Sequence, residues 1–593
     1  MSHSNFFEQV IAPHRQRGQN VVLLQGSRKN DIFPVEENET IRIQPGMIAF
    51  QNDARKEGYI YISYGFASGI TADLSGYLKK DADHINNHLN HLGVLNNQNN
   101  SKPDEEFVAF TRGILTLIRE GASILLSDGK TYRFIIGFNF PEHLFPEDQK
   151  PSVLQKVSLE LVHELINSLA LRKSECLILL KEERECSVNQ LLRNQVPVVR
   201  IPSADSEERQ LLLRSLKIKY ASYKTILTDE ELVAMSRNML NRSVEKIFYA
   251  SSKYGSEITP LLLNEENKND ILRQSEGTLS PVDTTRVVNR LAGRTIEPVL
   301  HILDKVAEDL KMGRKTLRNV ILAGAPSTGK TALATYVAQR SGMQAFMVNS
   351  VKNSLVGESE RRLDVLLNLA REMGGIYIID EIDSLFNFDR NQQNMDSGVS
   401  NALSAKFLSF FSDESLAGKA MFIGTTNRPG AISDAMRSRF SIIPVLSPLR
   451  EDMPEILTHV CKGLDSNFSM NQDALKIAAW RFFDSGASIR EIRESLVASQ
   501  LILSADLGEA VITHSASAVI PDTARESYIY ADLMAVKNSK SASFLPFWDN
   551  SANAPDPYFP YPAHLKEVLD DHFYIDQFKL NHKLNELKPY ANV

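Results

Sequence analysis

Two periodicities alternate along this chain of 593 residues. Short continuous apolar runs mark strands buried on both faces: "VVLLQ" (21–25), "YIYIS" (59–63), "YRFIIGF" (132–138) and "CLILL" (176–180). They return in the second half at "VILA" (320–323), "IYII" (376–379) and "MFIG" (421–424). Between such runs, apolar residues recur every three or four positions, as in "VLQKVSLELVHELINSLAL" (153–171), and predict helices. That alternation predicts α/β layers. The pattern also repeats coarsely. "VVRIPSADSEERQLLLRSL" (198–216) and "SIIPVLSPLREDMPEILTHV" (441–460) both run strand, proline, charged cluster, helix. Helical stretches at 228–251 and 471–499 follow them and read as two lid domains.

Breaks in the pattern divide the chain. "GVLNNQNNSKPDEE" (93–106) is polar and Asn-rich and reads as a disordered surface loop. "LNEENKNDILRQSEGTLS" (263–280) reads as the boundary between halves. Beyond about residue 520 the composition changes. "SFLPFWDNSANAPDPYFPYPAHL" (543–565) is dense in aromatics and prolines, and the prolines argue against regular structure. "LKEVLDDHFYIDQFKL" (565–580) then predicts one helix. This tail is expected to pack over its own domains, with docking of a partner as the alternative.

Composition narrows the class. Apolar residues at 43% and charged residues at 23% are ordinary for a soluble globular chain, and the length calls for several domains. The net charge of −7 lacks the basic footprint of a nucleic-acid binder. Cys176, Cys186 and Cys461 are widely spaced and form neither a metal-ligand pattern nor a disulfide framework, which points to a reducing cytoplasm. The first 20 residues lack a signal-peptide core. No apolar run approaches the roughly 20 residues that span a bilayer, so no transmembrane segment is expected.

The chemistry is concentrated in the second half. "GAPSTGKT" (324–331) has the G-x-x-x-x-G-K-[ST] spacing of a phosphate loop, between an apolar strand and a helical pattern. Gly324, Ala325, Pro326, Ser327, Thr328 and Gly329 offer backbone N–H groups around phosphates. Lys330 should reach the β- and γ-phosphates, and the Thr331 hydroxyl should ligate Mg²⁺. "GGIYIIDEIDSLF" places Asp380 at a strand end to hold Mg²⁺ and Glu381 beside it to polarise water as a general base. In "MFIGTTNRPGAISDAMRSRF", Asn427 follows a core strand and suits orienting water or touching the γ-phosphate. Arg437 and Arg439 come next. Two such arginines are either solvated or reach a transferring phosphoryl group from outside.

"GAPSTGKT", "IIDEID", "TTNRP" and "AMRSRF", in this order, together with "VGESERRLDVLL" (356–367), resemble the AAA branch of the AAA+ ATPases over roughly 280–510. The resemblance implies an ATP-hydrolysing α/β domain using ATP and Mg²⁺, with a helical lid, usually in a hexameric ring. It implies that Asn427 is sensor 1, that Arg437 and Arg439 are arginine fingers, and that Arg490 in "SGASIREI" is sensor 2, with Arg493 as its competitor one turn on. By position, "RVVNRLAGRTIEPVL" (286–300) should lie beside the adenine. After "VVLLQ" in the first half comes "GSRKNDIFP", with one glycine and no G-K-[ST]. The whole chain is therefore expected to be α/β with tandem AAA-like cassettes, the first lacking a phosphate loop. The expected domains are a degenerate α/β domain at 1–200, its lid at 201–270, the active domain at 271–445, its lid at 446–520 and the extension at 521–593. Leu355-Val356-Gly357 stands where the family's unfoldases carry an aromatic pore residue, so threading is weakened as an expectation. The two functional readings are a ring that remodels or unfolds a protein partner, and a regulatory scaffold switched by ATP binding and slow hydrolysis.

Overall fold

The computed structural model describes residues 11–37, 40–65, 67–95, 103–145, 152–183, 188–201, 204–236, 239–282, 291–349, 358–385, 405–412, 418–519 and 525–590. Leu355, Val356, Gly357 and Cys186 lie outside the described residues, as do 96–102, 286–290 and 395–404. The chain divides into two compact units, Met1–Gln274 and Ser275–Val593.

In the second unit the phosphate-loop strand, Asn319–Ala323, is central. Parallel to it on one side runs Ala420–Thr426, followed by Gly375–Ile379 and Ala345–Val348; on the other side runs Ser441–Pro444. Leu279–Pro281 closes one edge antiparallel. Counting the parallel strands along the chain, their spatial order is 2-3-4-1-5. The strands are apolar throughout because both sheet faces are covered, as parallel sheets require. Val320, Leu322, Ile376, Ile378 and Ile423 all sit at 0% exposure in one core with the helices Glu297–Lys311 and Lys330–Ser341. Each such side chain contributes roughly 1.5–3 kcal/mol by leaving water. Four helices, Met453–Leu464, Gln472–Asp484, Ile489–Leu503 and Glu509–Ala518, make the lid around Leu457, Ala479, Phe482 and Leu496.

The first unit has five parallel strands of its own: Val21–Gln25, Tyr59–Gly65, Thr131–Asn139, Leu177–Lys181 and Val198–Arg200. Their order is again 2-3-4-1-5. Helices Ser206–Lys219, Asp229–Met235, Asn241–Tyr254 and Pro260–Gln274 follow. After the first strand, Gly26 (φ 93°) leads into a single 3₁₀ turn, Ser27–Asn30. Arg28, Lys29 and Asp31 are buried. Arg28 pairs with Glu208 and lies 4.8 Å over Phe33. The Asp31 carboxylate accepts from the backbone N–H groups of Asn241 and Arg242, each at 2.8 Å, capping that helix from outside.

Three sequence expectations need correction. Of the stretch 93–106 read as a disordered loop, residues 103–106 begin the helix Pro103–Arg119. The predicted helix 153–171 breaks at Ser168, which is extended and caps a second helix by accepting from Ala170 N at 3.2 Å. The single helix predicted over 565–580 is absent. Ala563–Lys566 and Gln577–Leu587 are helical instead, and the Asp570 carboxylate between them accepts from the backbone of His572 and Tyr574, at 2.9 Å each, in a turn that competes with helix. A helix at Arg525–Asn538 precedes them, and the whole extension packs on the second unit through Leu446, Leu533, Val536, Phe547 and Leu580.

Candidate active site

The site is built at the carboxyl end of the second sheet, where the strand order makes neighbouring connections diverge and leaves a crevice. The loop turns back over strand Ser441–Pro444 so tightly that a Cβ at Gly324 would lie 2.1 Å from the Val445 carbonyl oxygen. Ser327 (φ 58°) and Gly329 (φ 91°) take left-handed conformations that curl the chain around an open centre. Helix Lys330–Ser341 starts at Gly329, so no side chain caps it and its first N–H groups remain available to an anion.

A cavity of about 470 Å³ opens there, lined by Ser327 to Ala332, Asp380, Glu381, Thr425 and Asn427. Gly324, Ala325 and Pro326 form the start of the loop behind it. The Lys330 ammonium donates to Gly324 O at 3.1 Å, to Ala325 O, and to Thr328 Oγ1 at 3.3 Å. Burial pulls it down to about 8, opposed by the charges of Asp532 and Asp380. The Thr331 hydroxyl donates to Asp380 Oδ1 at 3.2 Å. Thr425 also donates to that oxygen, and accepts from Glu381 N at 3.3 Å. Glu381 itself has φ 49°, a strained conformation of the kind held at functional positions.

The other wall of the cavity comes from distant segments. Leu291, Ala292 and Ile296 precede the loop, and Ile456, His459, Val460, Gly463 and Ile489 belong to the lid. This half is apolar and suits the flat face of a base. Arg294 bridges the two by donating from its backbone N and Nε to the Asp452 carboxylate at 2.9 and 2.7 Å. Arg490 and Arg493 both line the cavity, so the lid offers two cations rather than one. Arg437 and Arg439 do not line it. Arg437 ends helix Asp434–Arg437 and is bonded to Asn538 and Asp434, while Arg439 donates to Ser412 and Ala435. Thr425 escaped the sequence reading although "TTN" puts it two residues before Asn427; the apolar lid residues Ile456, Val460 and Ile489 carry no local signal, whereas Arg490 and Arg493 were both expected.

Residues 320–447 match the family model described as "ATPase family associated with various cellular activities (AAA)". Over 287 residues the chain is 27% identical to Fidgetin-like protein 1 of Drosophila melanogaster, covering 47% of this chain and 54% of that protein. It is 34% identical over 157 residues to Spastin of Xenopus laevis, covering 26% of each. A crystal structure of the FIGL-1 AAA domain matches at 22% identity and a TM-score of 0.35, over 43% of this chain and 90% of that one. The chain spans about half the length of the fly relative and about a quarter of spastin. Residues 320–447 are an AAA-type P-loop ATPase domain, of a family that uses ATP with Mg²⁺. The donor set fits that ion. Thr331 and Asp380 present neighbouring hard oxygens to the cavity, and Mg²⁺ takes only one or two protein ligands beside phosphates and water.

Proposed function

We propose that this protein hydrolyses ATP at the second-unit site and spends the cycle on remodelling or unfolding a protein partner, as a ring of identical chains, a hexamer by family resemblance. The observation that carries the reading is the convergence of Lys330, Thr331, Asp380, Glu381, Thr425 and Asn427 on one cavity. Lys330 and the uncapped helix start would hold the β- and γ-phosphates. Thr331 and Asp380 would hold Mg²⁺, which neutralises charge on the phosphates. Glu381 takes a proton from the attacking water and Asn427 orients that water. Arg437 and Arg439, held away from their own chain's cavity, would complete a neighbour's site, and Arg490 from the lid would report on the γ-phosphate. The first unit is read as a second cassette without nucleotide. In support stand its identical strand order, a left-handed residue after the third strand in both units (Phe140 at φ 54°, Glu381 at φ 49°), and four lid helices. Among the described residues no helix is long and apolar enough to cross a membrane, and we place the site of action in the cytoplasm as part of this proposal.

Steady-state turnover of the full chain, with and without an unfolded protein such as casein, tests this. Lys330→Ala should abolish ATP binding. Glu381→Gln should keep binding and lose hydrolysis by about 10²–10⁴-fold, because it acts on water only in the transition state. Turnover should rise with the unfolded protein. Slow turnover indifferent to it would favour a regulatory scaffold instead, and near wild-type hydrolysis by Glu381→Gln would overturn the base assignment.

A further inference from the structure

The C-terminal extension packs beside the segment that follows Asn427. Helix Arg525–Asn538 packs on the turn Pro429–Ala431 and on strand Ser441–Pro444. Its register is fixed by two anchors. Leu533 is fully buried in the extension's own core. Next to it in sequence, Asp532, 1% exposed, accepts from Ser447 N at 3.1 Å and lies 3.3 Å from His564 Nε2.

These anchors deliver Asn538 to one place. It is 3% exposed, and both ends of its amide are used. The nitrogen donates to Pro429 O at 2.6 Å, two residues beyond Asn427, and the oxygen accepts from Arg437 Nη1 at 2.9 Å. The other Arg437 nitrogen reaches Asp434, whose side chain is 91% exposed. One buried side chain therefore ties together the segment that carries Asn427, the arginine, and the extension.

We propose that Asn538 is a positioning residue for Arg437, presenting its guanidinium to the neighbouring chain's nucleotide. This rests on the reading of Arg437 as a trans-acting arginine. An arginine side chain is long and loses much rotamer freedom when it is immobilised. Holding it beforehand moves that cost out of the reaction, and preorganised charge is what stabilises a developing phosphoryl charge best. A neutral amide does this without cancelling the cation, as a buried carboxylate would. A misplacement of about 1 Å at such a group can cost about 100-fold in rate.

The test uses full chains in mixtures. Arg437→Ala,Arg439→Ala protein supplies an intact loop, and Lys330→Ala protein supplies intact arginines. Each alone should be inactive, and co-assembly should restore activity at mixed interfaces. Asn538→Ala is then added to one partner at a time. Placed on the Lys330→Ala chain, which donates the arginines, it should lower the restored turnover about tenfold or more, with KM for ATP unchanged. Placed on the loop-donating chain, it should change little. Leu533→Ala, which loosens the helix that delivers Asn538, should show the same dependence on placement. Should Asn538→Ala fail to assemble, the exposed Asp434→Ala provides the same directional readout with a smaller loss. Equal loss in both placements, or none in either, overturns the proposal alone. Absence of restoration in the parent mixture, with co-assembly shown by sizing, overturns the trans-acting reading and this proposal with it.

Discussion

Lys330 shows how the burial of one charge couples the cavity to pH. Lys330 is 5% exposed and its ammonium donates to loop carbonyls and a hydroxyl, and burial holds it down to about 8, against an ordinary 10.5. The cation is the form that binds phosphate. Below pH 8 it is already present, and affinity for ATP should be nearly flat from pH 7 to 8. Above pH 8 the free protein loses that proton and must recover it on binding, so affinity should fall by up to about tenfold per pH unit. The sign for folding is opposite. A lysine whose folded value is depressed binds fewer protons folded than unfolded between about 8 and 10.5, so the nucleotide-free fold should gain stability across that window. Titrating a fluorescent ATP analogue from pH 7 to 9.5 checks the first trend, and denaturant unfolding of wild type against Lys330→Met checks the second. Affinity independent of pH above 8 would mean that Lys330 stays charged in the free protein.

At the scale of elements, the extension supports the strand next to the phosphate loop. Helix Arg525–Asn538 brings Leu533 and Val536 against Leu446, which follows that strand directly. Leu533 is fully buried, so Leu533→Ala should destabilise the second unit by about 2–5 kcal/mol, the usual range for a leucine truncated in a packed core. Urea unfolding followed by signals from Trp480 and Trp548 is the measurement; a loss under ~1 kcal/mol would mean that the extension is only loosely seated. The prolines that argue against regular structure at 543–565 are compatible with this packing. Short turns such as Ala542–Phe544 and the paired Trp548–Asp549 and Ala554–Pro555 still bury Leu545, Phe547, Phe559 and Tyr561.

For the whole molecule, the question is how many nucleotides one chain carries. Both units have the 2-3-4-1-5 strand order, and the second has a loop that lines a cavity. In the first, Arg28, Lys29 and Asp31 turn inward; Lys29 Nζ donates to the carbonyls of Gly26 and Glu183 at 3.2 and 3.3 Å, and Asp31 takes the helix N–H groups. These contacts support the proposal that the first unit carries no nucleotide. Calorimetric titration of the full chain with a non-hydrolysable ATP analogue should give one site per chain, and Lys330→Ala should leave none. A residual site in Lys330→Ala would show that the first unit binds nucleotide after all.

The local order of residues was enough to place strands at 21–25, 59–63, 132–138, 320–323, 376–379 and 421–424, because strands buried on both faces must be continuously apolar. It was also enough to bring the loop and the two acids into view, because each is a contiguous motif whose spacing is set by the turn it makes. It named Arg493 beside Arg490 and put 286–300, with Leu291, at the base, but it could not reveal Thr425 behind Asp380 or the apolar wall from Ile456 and Val460, since those depend on where separate segments meet. Nor could it reveal that 565–580 turns on Asp570, where a side chain outcompetes the helix for backbone N–H groups. The clasp of Arg437 by Asn538 joins residues 101 positions apart, and only packing of the extension puts them within hydrogen-bond distance. Motif and periodicity are properties of neighbours along the chain; a site assembled from remote segments is decided by the tertiary structure.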